Sequence, residues 1–238
     1  MRALWAVESR RQFILLAALL GICLIRSLWF EPKPSHTQWE PQIRAFEDRD
    51  KTNPPPKRAI LAVGSSSIHL WKTLKVDLDP LPVVRRGFGG ATIPDVIAFA
   101  DRIILPYEPR IVLLYVGEND LAIRRTGRQV LMDFRKLVRL VRSRLPNTQI
   151  AFISMKPSIT RIHLFDRIRR ANALIKAETD RHDYLDYIDI FTPMVDGQRK
   201  PRAEFLAADG LHLNAKGYQL WSSILRQHLP QHAFAAAE

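Results

Sequence analysis

The sequence contains a single cysteine, Cys23, so its 238 residues cannot form an intramolecular disulfide. One cysteine also excludes the paired-cysteine motifs that hold structural zinc, and the seven histidines are scattered along the chain. The nearest match to a Gly-x-Gly-x-x-Gly run, residues 87–90, lacks the third glycine at the required spacing. We therefore predict a protein that works without a metal ion or an organic cofactor.

Basic residues outnumber acidic ones, which gives the chain a net charge of +12. Many of them fall between residues 124 and 144, namely Arg124, Arg125, Arg128, Arg135, Lys136, Arg139, Arg142 and Arg144. We interpret them as the solvated face of a helix. The alternative is contact with anionic lipid headgroups or an acidic polysaccharide, to which each basic residue contributes on the order of 1 kcal/mol. Nucleic acid is not predicted as a partner, because no aromatic residues interleave with these charges and no reading motif is present.

An uncharged segment lies near the N-terminus. Residues 13–25 carry no charge, and the Leu-Trp-Phe run at residues 28–30 extends the apolar stretch past Arg26. Residues 13–30 have about the minimum length of a membrane-spanning helix. We therefore predict that residues 1–30 form a single-pass membrane anchor, with a membrane as the partner of residues 13–30.

Two other interpretations of this segment stay open. A cleaved signal peptide would also place basic residues such as Arg2, Arg10 and Arg11 before a short apolar run, but no small-x-small cleavage site follows. A buried amphipathic helix is the second alternative. The three arginines slightly outweigh Arg26 and Lys33 after the segment, which favours a cytoplasmic N-terminus with the rest of the chain outside the cytoplasm.

The next part of the chain, residues 31–58, is predicted to be a linker and a packing helix. Trp39, Ile43 and Phe46 recur at spacings of four and three, which is typical of a helix with one apolar face. The proline run at residues 54–56 ends this helix. The main domain then spans residues 59–230, and residues 231–238 form an alanine-rich tail.

Apolar runs and helical patterns alternate through the main domain. The predicted strands are Ala59–Val63, Val83–Arg86, Ile111–Val116, Gln149–Ile153 and Tyr187–Ile190. The predicted helices are Ile68–Leu74, Ile93–Leu105, Arg128–Leu145, Phe165–Arg181 and Ala215–Gln227. Continuously apolar strands that alternate with helices indicate a parallel sheet covered on both faces, so we predict a three-layer α/β sandwich.

Two short segments supply the parts of an activated serine. The Gly-Ser-Ser-Ser run at residues 64–67 lies between a predicted strand and a predicted helix, where N–H groups of the new helix can face a negative charge. Near the other end of the chain, Asp209 and His212 are three residues apart, close enough for the carboxylate to orient the imidazole ring. The second ring nitrogen could then take a proton from a serine, as in a catalytic triad.

Two further segments supply hydrogen-bond donors. Gly90 has no side chain, so its N–H group can approach a substrate oxygen closely, and Asn119 follows a predicted strand with a neutral amide. Together with the serine N–H group, these donors could form an oxyanion hole. Each motif also has a structural interpretation. The serine and glycine runs could be ordinary turns, Asn119 and Asp120 could cap a helix, and a lone histidine is often structural.

The four segments together, in this order, resemble the SGNH or GDSL-type hydrolase family, whose named residues are Ser, Gly, Asn and His. The match assigns Ser66 as the nucleophile, Gly90 and Asn119 to the oxyanion hole with the Ser66 N–H group, His212 as the base and Asp209 as its orienting residue. Ser65 stands where the family commonly has aspartate. The flanking segments, among them residues 86–90 and 156–158, resemble a subgroup with a Gly-Ser-Ser-Ser-Ile block, and the resemblance runs from about Trp39 to Trp221.

The resemblance implies a flavodoxin-like fold for residues 59–230 and a serine esterase that hydrolyses carboxylic esters. Its expected substrates are small-molecule, glycan or lipid esters, and the short loops between the motifs favour short acyl chains such as acetyl. Two alternatives use the same residues or the same pocket: acyl transfer to a sugar or glycan hydroxyl, and a membrane-tethered binding domain without catalysis. The first 30 residues would anchor the enzyme to a membrane, with its catalytic domain outside the cytoplasm.

Overall fold

The computed structural model of the chain describes residues 36–233, and a compact unit begins at Trp39. The predicted membrane anchor, residues 1–30, lies outside the described residues, as do the last five residues of the predicted tail. Between residues 36 and 233, no helix is both long enough and apolar enough to cross a membrane.

The compact unit is built around one sheet of five parallel strands, which confirms the predicted sheet. In chain order the strands are β1 (Ile60–Gly64), β2 (Val83–Gly87), β3 (Ile111–Tyr115), β4 (Gln149–Ile153) and β5 (Leu185–Ile188). Their order across the sheet is β2, β1, β3, β4, β5. In this register the last residue of β1, Gly64, lies between Gly87 of β2 and Tyr115 of β3.

Both faces of the sheet are covered. Successive side chains on a strand point to opposite faces, and in β1 Leu61 and Val63 belong to one apolar core while Ile60 and Ala62 belong to another. This explains why the strand sequences are continuously apolar and do not alternate between apolar and polar residues. The result is the predicted three-layer arrangement.

Eight α-helices are described between residues 36 and 233. They are α1 (Glu40–Thr52), α2 (Ser66–His69), α3 (Leu74–Asp77), α4 (Ile93–Ile103), α5 (Glu118–Ala122), α6 (Gly127–Arg144), α7 (Phe165–Thr179) and α8 (Ala215–Ala233). Helices α1, α4, α6 and α7 contribute to the first core, whereas α2, α3 and α8 contribute to the second.

Helix α1 packs onto the sheet domain as the spacing of its apolar residues predicts. Ile43 and Phe46 are buried in the first core. Arg86 at the end of β2 is only 4% exposed, and its Nη2 donates to both carboxylate oxygens of Asp50 in α1, at 2.5 and 2.6 Å. A buried guanidinium needs such a partner, because an unpaired charge in the interior is strongly destabilising. Helix α1 therefore supplies part of the interior of the unit.

Two predicted elements differ from the structure. The single helix predicted over Ile68–Leu74 is divided into α2 and α3, because the buried Trp71 donates its indole N–H to Asp77 and closes a turn between them. The last strand begins and ends two residues earlier than predicted. The Ser154 hydroxyl accepts the N–H groups of Ile190 and Phe191, so this part of the backbone does not continue the sheet. Helix α8 extends to Ala233, into the segment predicted as tail.

Candidate active site

The predicted motif residues meet at the carboxyl edge of the sheet. Ser66 follows β1, Gly90 follows β2 and Asn119 follows β3, and these three strands are neighbours. His212 lies in the segment that precedes α8. The carboxyl ends of parallel strands, where the loops of neighbouring strands converge, are the usual place for a ligand in such sheets.

The three adjacent serines have different surroundings. The Ser65 N–H group donates to the Tyr115 carbonyl at 3.0 Å, and Ser65 is buried. The Ser67 side chain is buried as well and interacts with the Tyr115 hydroxyl. Ser66 is partly exposed, and its Oγ lies 3.1 Å from Nε2 of His212. Of the three, Ser66 is thus the one whose hydroxyl meets a base.

The His212 ring is held from its other side by Asp209. Nδ1 of His212 lies 2.6 Å from Oδ2 of Asp209, while Oδ1 of Asp209 accepts the N–H groups of Leu211 and His212, both at 2.9 Å. The hydrogen bond from the His212 side chain, with those from the two backbone groups, holds the pKa of Asp209 well below its usual range. The carboxylate therefore stays ionised at neutral pH and fixes the proton on Nδ1, which leaves Nε2 free to accept one from Ser66.

Three N–H groups border the cleft beside Ser66. The Ser66 N–H group is the first of helix α2 and has no partner in the preceding turn. Gly90 has a φ angle of +76°, a conformation that glycine adopts without strain. The Nδ2 atom of Asn119 donates one hydrogen to the carbonyl of Ala91 at 3.0 Å, which leaves its second hydrogen available. These are the three predicted oxyanion-hole donors, and the structure brings them to one cleft.

A buried charge cluster lies beneath Asn119, and the sequence did not reveal it. Glu118 is 4% exposed, and its carboxylate accepts hydrogen bonds from the Tyr115 hydroxyl at 2.7 Å, from Lys156 at 3.1 Å and from Arg161 at 3.1 Å. Burial by itself raises the pKa of Glu118, but the charges of Lys156 and Arg161 outweigh it and bring the pKa below its usual value. The carboxylate is therefore ionised. Lys156 and Arg161 lie 38 and 43 residues from Glu118 in sequence, so the only local signal was the Lys-Pro-Ser segment at residues 156–158.

Asp120, next to Asn119, is completely buried. Its carboxylate accepts the N–H group of Ile93, the first residue of α4, at 3.2 and 3.3 Å, and its nearest cation is Nε of Arg125 at 3.7 Å. Asp120 thus caps a helix, although it is α4 and not the helix directly after β3. Burial raises the pKa of Asp120 to about 7.

The cleft over these groups has a volume of about 440 Å³ and is open to solvent. Its polar lining includes Ser66, His69, Asn119 and Arg161, and its apolar side chains are Leu70 and Leu211. Between residues 36 and 233, no group of three or more His, Cys, Asp or Glu side chains is placed to hold a metal ion.

Four of the eight basic side chains between residues 124 and 144 interact with other groups of the protein, and contact of this segment with an anionic surface stays a prediction. Arg125 and Lys136 both pair with Asp133 of α6, and Arg135 pairs with Glu178 of α7. In addition, Arg142 donates to the Thr148 carbonyl and lies over the ring of Tyr184.

A model of the GDSL-like lipase/acylhydrolase family matches residues 56–220. No curated protein sequence is similar enough to count as a match. Solved structures share the fold at low sequence identity. A candidate platelet activating factor from Streptococcus pneumonia is 18% identical with a TM-score of 0.72, over 89% of this chain and 99% of that one.

Two further solved structures illustrate the range of the fold. A GDSL-like lipase from Bacteroides thetaiotaomicron is 17% identical with a TM-score of 0.67, over 79% of this chain and 97% of that one. A family 3 carbohydrate esterase from Clostridium thermocellum is 18% identical with a TM-score of 0.59, over 76% of this chain and 100% of that one.

Proposed function

Because the chain belongs to the GDSL-like lipase/acylhydrolase family and is therefore a carboxylic ester hydrolase, we propose that it cleaves esters through an acyl-enzyme on Ser66. The observation that carries the proposal is the continuous hydrogen-bonded series from Asp209 through His212 to the Ser66 hydroxyl, at 2.6 and 3.1 Å. Nucleophile, base and orienting group stand in the order that serine activation requires.

In the proposed first half-reaction, the Ser66 hydroxyl attacks the ester carbonyl carbon while His212 Nε2 accepts its proton. The C–O bond to the alcohol then breaks, and His212 donates the proton to the departing oxygen. In the second half-reaction, His212 takes a proton from a water molecule as the water oxygen attacks the acyl carbon. The bond between that carbon and Ser66 Oγ then breaks, His212 returns the proton to Oγ, and the acid is released. Asp209 remains ionised and stabilises the imidazolium in both steps.

Negative charge develops on the carbonyl oxygen in both half-reactions. We assign its stabilisation to the N–H groups of Ser66 and Gly90 and to the Asn119 side chain. Donors that are fixed before the reaction need no reorganisation when the charge appears, and loss of one costs about 10²–10³ in rate.

We propose a short acyl group, acetyl to butyryl, as the preferred substrate. The cleft is open to solvent, and its apolar side chains are limited to Leu70 and Leu211. A long acyl chain would leave most of its length in water, so it would gain little binding energy from apolar burial. Acetylated carbohydrates belong among the test substrates, since the Clostridium thermocellum structure of the same fold is a carbohydrate esterase.

The test is a series of p-nitrophenyl esters of increasing chain length, with Ser66→Ala as the inactive control and acetylated oligosaccharides in a second assay. We expect kcat/KM to be highest for acetyl to butyryl esters and to fall for longer chains. A preference for chains of about ten carbons or more would contradict the apolar-burial argument. Product analysis with a sugar acceptor present separates hydrolysis from acyl transfer.

We also propose that residues 13–30 attach the enzyme to a membrane, with the catalytic domain outside the cytoplasm. The support is the uncharged sequence of residues 13–25 and the arginines that precede it. Full-length protein should remain in the membrane pellet after a carbonate wash. Recovery of a native chain that begins shortly after residue 26 would instead show a cleaved signal peptide.

A further inference from the structure

The three proposed oxyanion-hole donors share a feature that their positions in sequence do not suggest. Each N–H group belongs to an amide, and the oxygen of that same amide accepts a hydrogen bond from elsewhere in the protein. An amide is planar, and in a trans peptide the N–H and C=O bonds point in opposite directions. A donor that holds the oxygen therefore also fixes the direction of the N–H group.

The peptide that joins Gly89 and Gly90 is held by Trp39. The indole Nε1 of Trp39 donates to the Gly89 carbonyl oxygen at 2.7 Å, and the N–H group of this peptide belongs to Gly90. The Trp39 ring also packs edge-on against Phe88, with ring centroids 5.8 Å apart. Neither glycine has a side chain that could restrict the loop, and Gly90 has a positive φ angle of +76°. Trp39 supplies the restraint that these residues lack.

The amide of Asn119 is held by Arg161. Nη2 of Arg161 donates to Oδ1 of Asn119 at 3.0 Å, while Nη1 donates to the buried carboxylate of Glu118 at 3.1 Å. Glu118 is itself fixed by Lys156 and Tyr115. The guanidinium thus bridges a buried anchor and the oxyanion-hole amide, and its positive charge increases the polarisation of the amide N–H bonds.

The peptide that joins Ser65 and Ser66 is held by its own helix. The Ser65 carbonyl accepts the N–H groups of Ile68 and His69, both at 3.0 Å. This third donor is therefore oriented by the backbone of α2, and no distant residue is needed for it.

We propose that Trp39 and Arg161 are positioning residues of the oxyanion hole, which act by holding the oxygen atoms of the amides that donate to the oxyanion. Trp39 acts through the Gly90 N–H group, and Arg161 acts through the Asn119 side chain. This inference rests on the proposed function, because it assigns a role in the same reaction.

The test compares variants of the full-length chain that remove one hydrogen bond each. Trp39→Phe retains an aromatic ring beside Phe88 but loses the indole N–H, and Arg161→Lys retains a positive charge beside Glu118 but cannot bridge to Asn119. Matched controls are Trp71→Phe, which loses the indole bond to Asp77 outside the cleft, and Arg135→Lys, which alters the pair with Glu178. Trp39→Tyr and Arg161→Met serve as second variants if either first variant fails to fold.

The readout is the inhibition constant of a trifluoromethyl ketone, whose carbonyl oxygen becomes an oxyanion when Ser66 adds to the carbon. The corresponding methyl ketone reports ground-state binding. Loss of a neutral hydrogen bond weakens binding about 3- to 10-fold, and loss of a charged one weakens it about 10- to 100-fold. We therefore expect the inhibition constant of the trifluoromethyl ketone to rise by these respective factors in Trp39→Phe and Arg161→Lys. kcat/KM for p-nitrophenyl acetate should fall by the same factors, while methyl ketone affinity and both controls stay near wild type.

A double-mutant cycle separates the two residues. In an Asn119→Ala background, Arg161→Lys should cause no further loss, because the group through which it acts is gone. Trp39→Phe should keep its full effect there, since it acts through Gly90. Wild-type affinity for the trifluoromethyl ketone in folded Trp39→Phe and Arg161→Lys, or an undiminished Arg161→Lys effect in that background, would overturn the inference.

Failure of the proposed function would give a different experimental result from failure of this inference alone. A wild-type protein that neither hydrolyses p-nitrophenyl acetate nor takes up a fluorophosphonate on Ser66 would overturn both the function and the inference. An active wild type with unaffected positioning variants would overturn the inference alone.

Discussion

The carbonyl oxygen of Tyr115 lies 1.8 Å from the point at which a Cβ atom on Gly64 would stand. The two residues face each other in neighbouring strands, and Gly64 has a φ angle of +145°. Any side chain at Gly64 would push β1 away from β3 at the end that carries Ser66. The glycine before the serines is therefore required for close strand packing as well as for the turn.

Gly64→Ala should prevent stable folding, because the added carbon meets backbone that cannot move away without separating two central strands. Gly90→Ala offers a comparison within the same site. A Cβ atom there meets nothing within 4 Å, so the cost is confined to the positive φ angle and is about 1–2 kcal/mol. Thermal melting followed by circular dichroism should show no cooperative transition for Gly64→Ala and a modest decrease for Gly90→Ala. Equal melting temperatures for the two variants would contradict this account.

Among the three serines, only Ser66 should become modified by a fluorophosphonate. Ser66→Ala and His212→Ala should each remove nearly all turnover, and the double variant should be no worse than either single one, because the two groups act as a unit. Ser65→Ala and Ser67→Ala are the matched controls, which should still incorporate the label. Mass spectrometry with fragmentation across residues 64–68 locates the adduct, and an adduct on Ser65 or Ser67 would refute the assignment.

Asp209→Asn should retain the fold and lose most activity. An asparagine oxygen can still accept the N–H groups of Leu211 and His212, but it cannot stabilise a positively charged His212 ring. Its amide can also donate to Nδ1 and so favour the wrong tautomer, an effect that costs about 10⁴ in kcat in a triad. Turnover with p-nitrophenyl acetate measures the loss. Activity close to wild type would show that Asp209 is only a turn residue.

Asp120→Asn should change how stability depends on pH. The folded-state pKa of Asp120 is about 7, raised by burial from an ordinary value of 3.8, so the folded protein holds this proton where the unfolded chain has released it. Stability contributed by the protonated carboxyl is present below about pH 4 and is lost as the pH rises towards about 7.

Urea unfolding at about pH 4 and about pH 8 measures this effect. The wild type should lose stability over that interval relative to Asp120→Asn, whose side chain does not ionise. The exposed Asp101→Asn serves as the control and should follow the wild type. Parallel curves for wild type and Asp120→Asn would argue against the raised pKa.

The sequence predicted the sheet and the position of the motif residues after its strands, because both depend on local patterns. Continuous apolar runs predict buried parallel strands, and the motif residues follow those runs directly. The Trp39 bond to Gly89 and the Arg161 bond to Asn119 were not predictable in this way, since they join residues 50 and 42 positions apart. Such contacts depend on how helices and loops pack, which the spacing of apolar residues in the sequence does not indicate.

Short elements were the least predictable part of the fold. The break between α2 and α3 depends on where Trp71 is buried, and the early end of β5 depends on the Ser154 hydroxyl. Residues 1–30 lie outside the described residues, so the membrane anchor remains a prediction. The basic segment illustrates a related difficulty, because its charges pair with acids that include Glu178 on another helix.

The place of α1 in the interior has a practical consequence for choosing where a shortened protein should begin and end. The matched family region starts at residue 56, after the whole of α1. A protein trimmed to that region would leave the buried Arg86 without Asp50, a loss of about 3–5 kcal/mol for a broken buried pair. It would also end just before the fully buried Trp221. Soluble, active enzyme for assay or crystallisation should therefore retain Trp39 through Leu229.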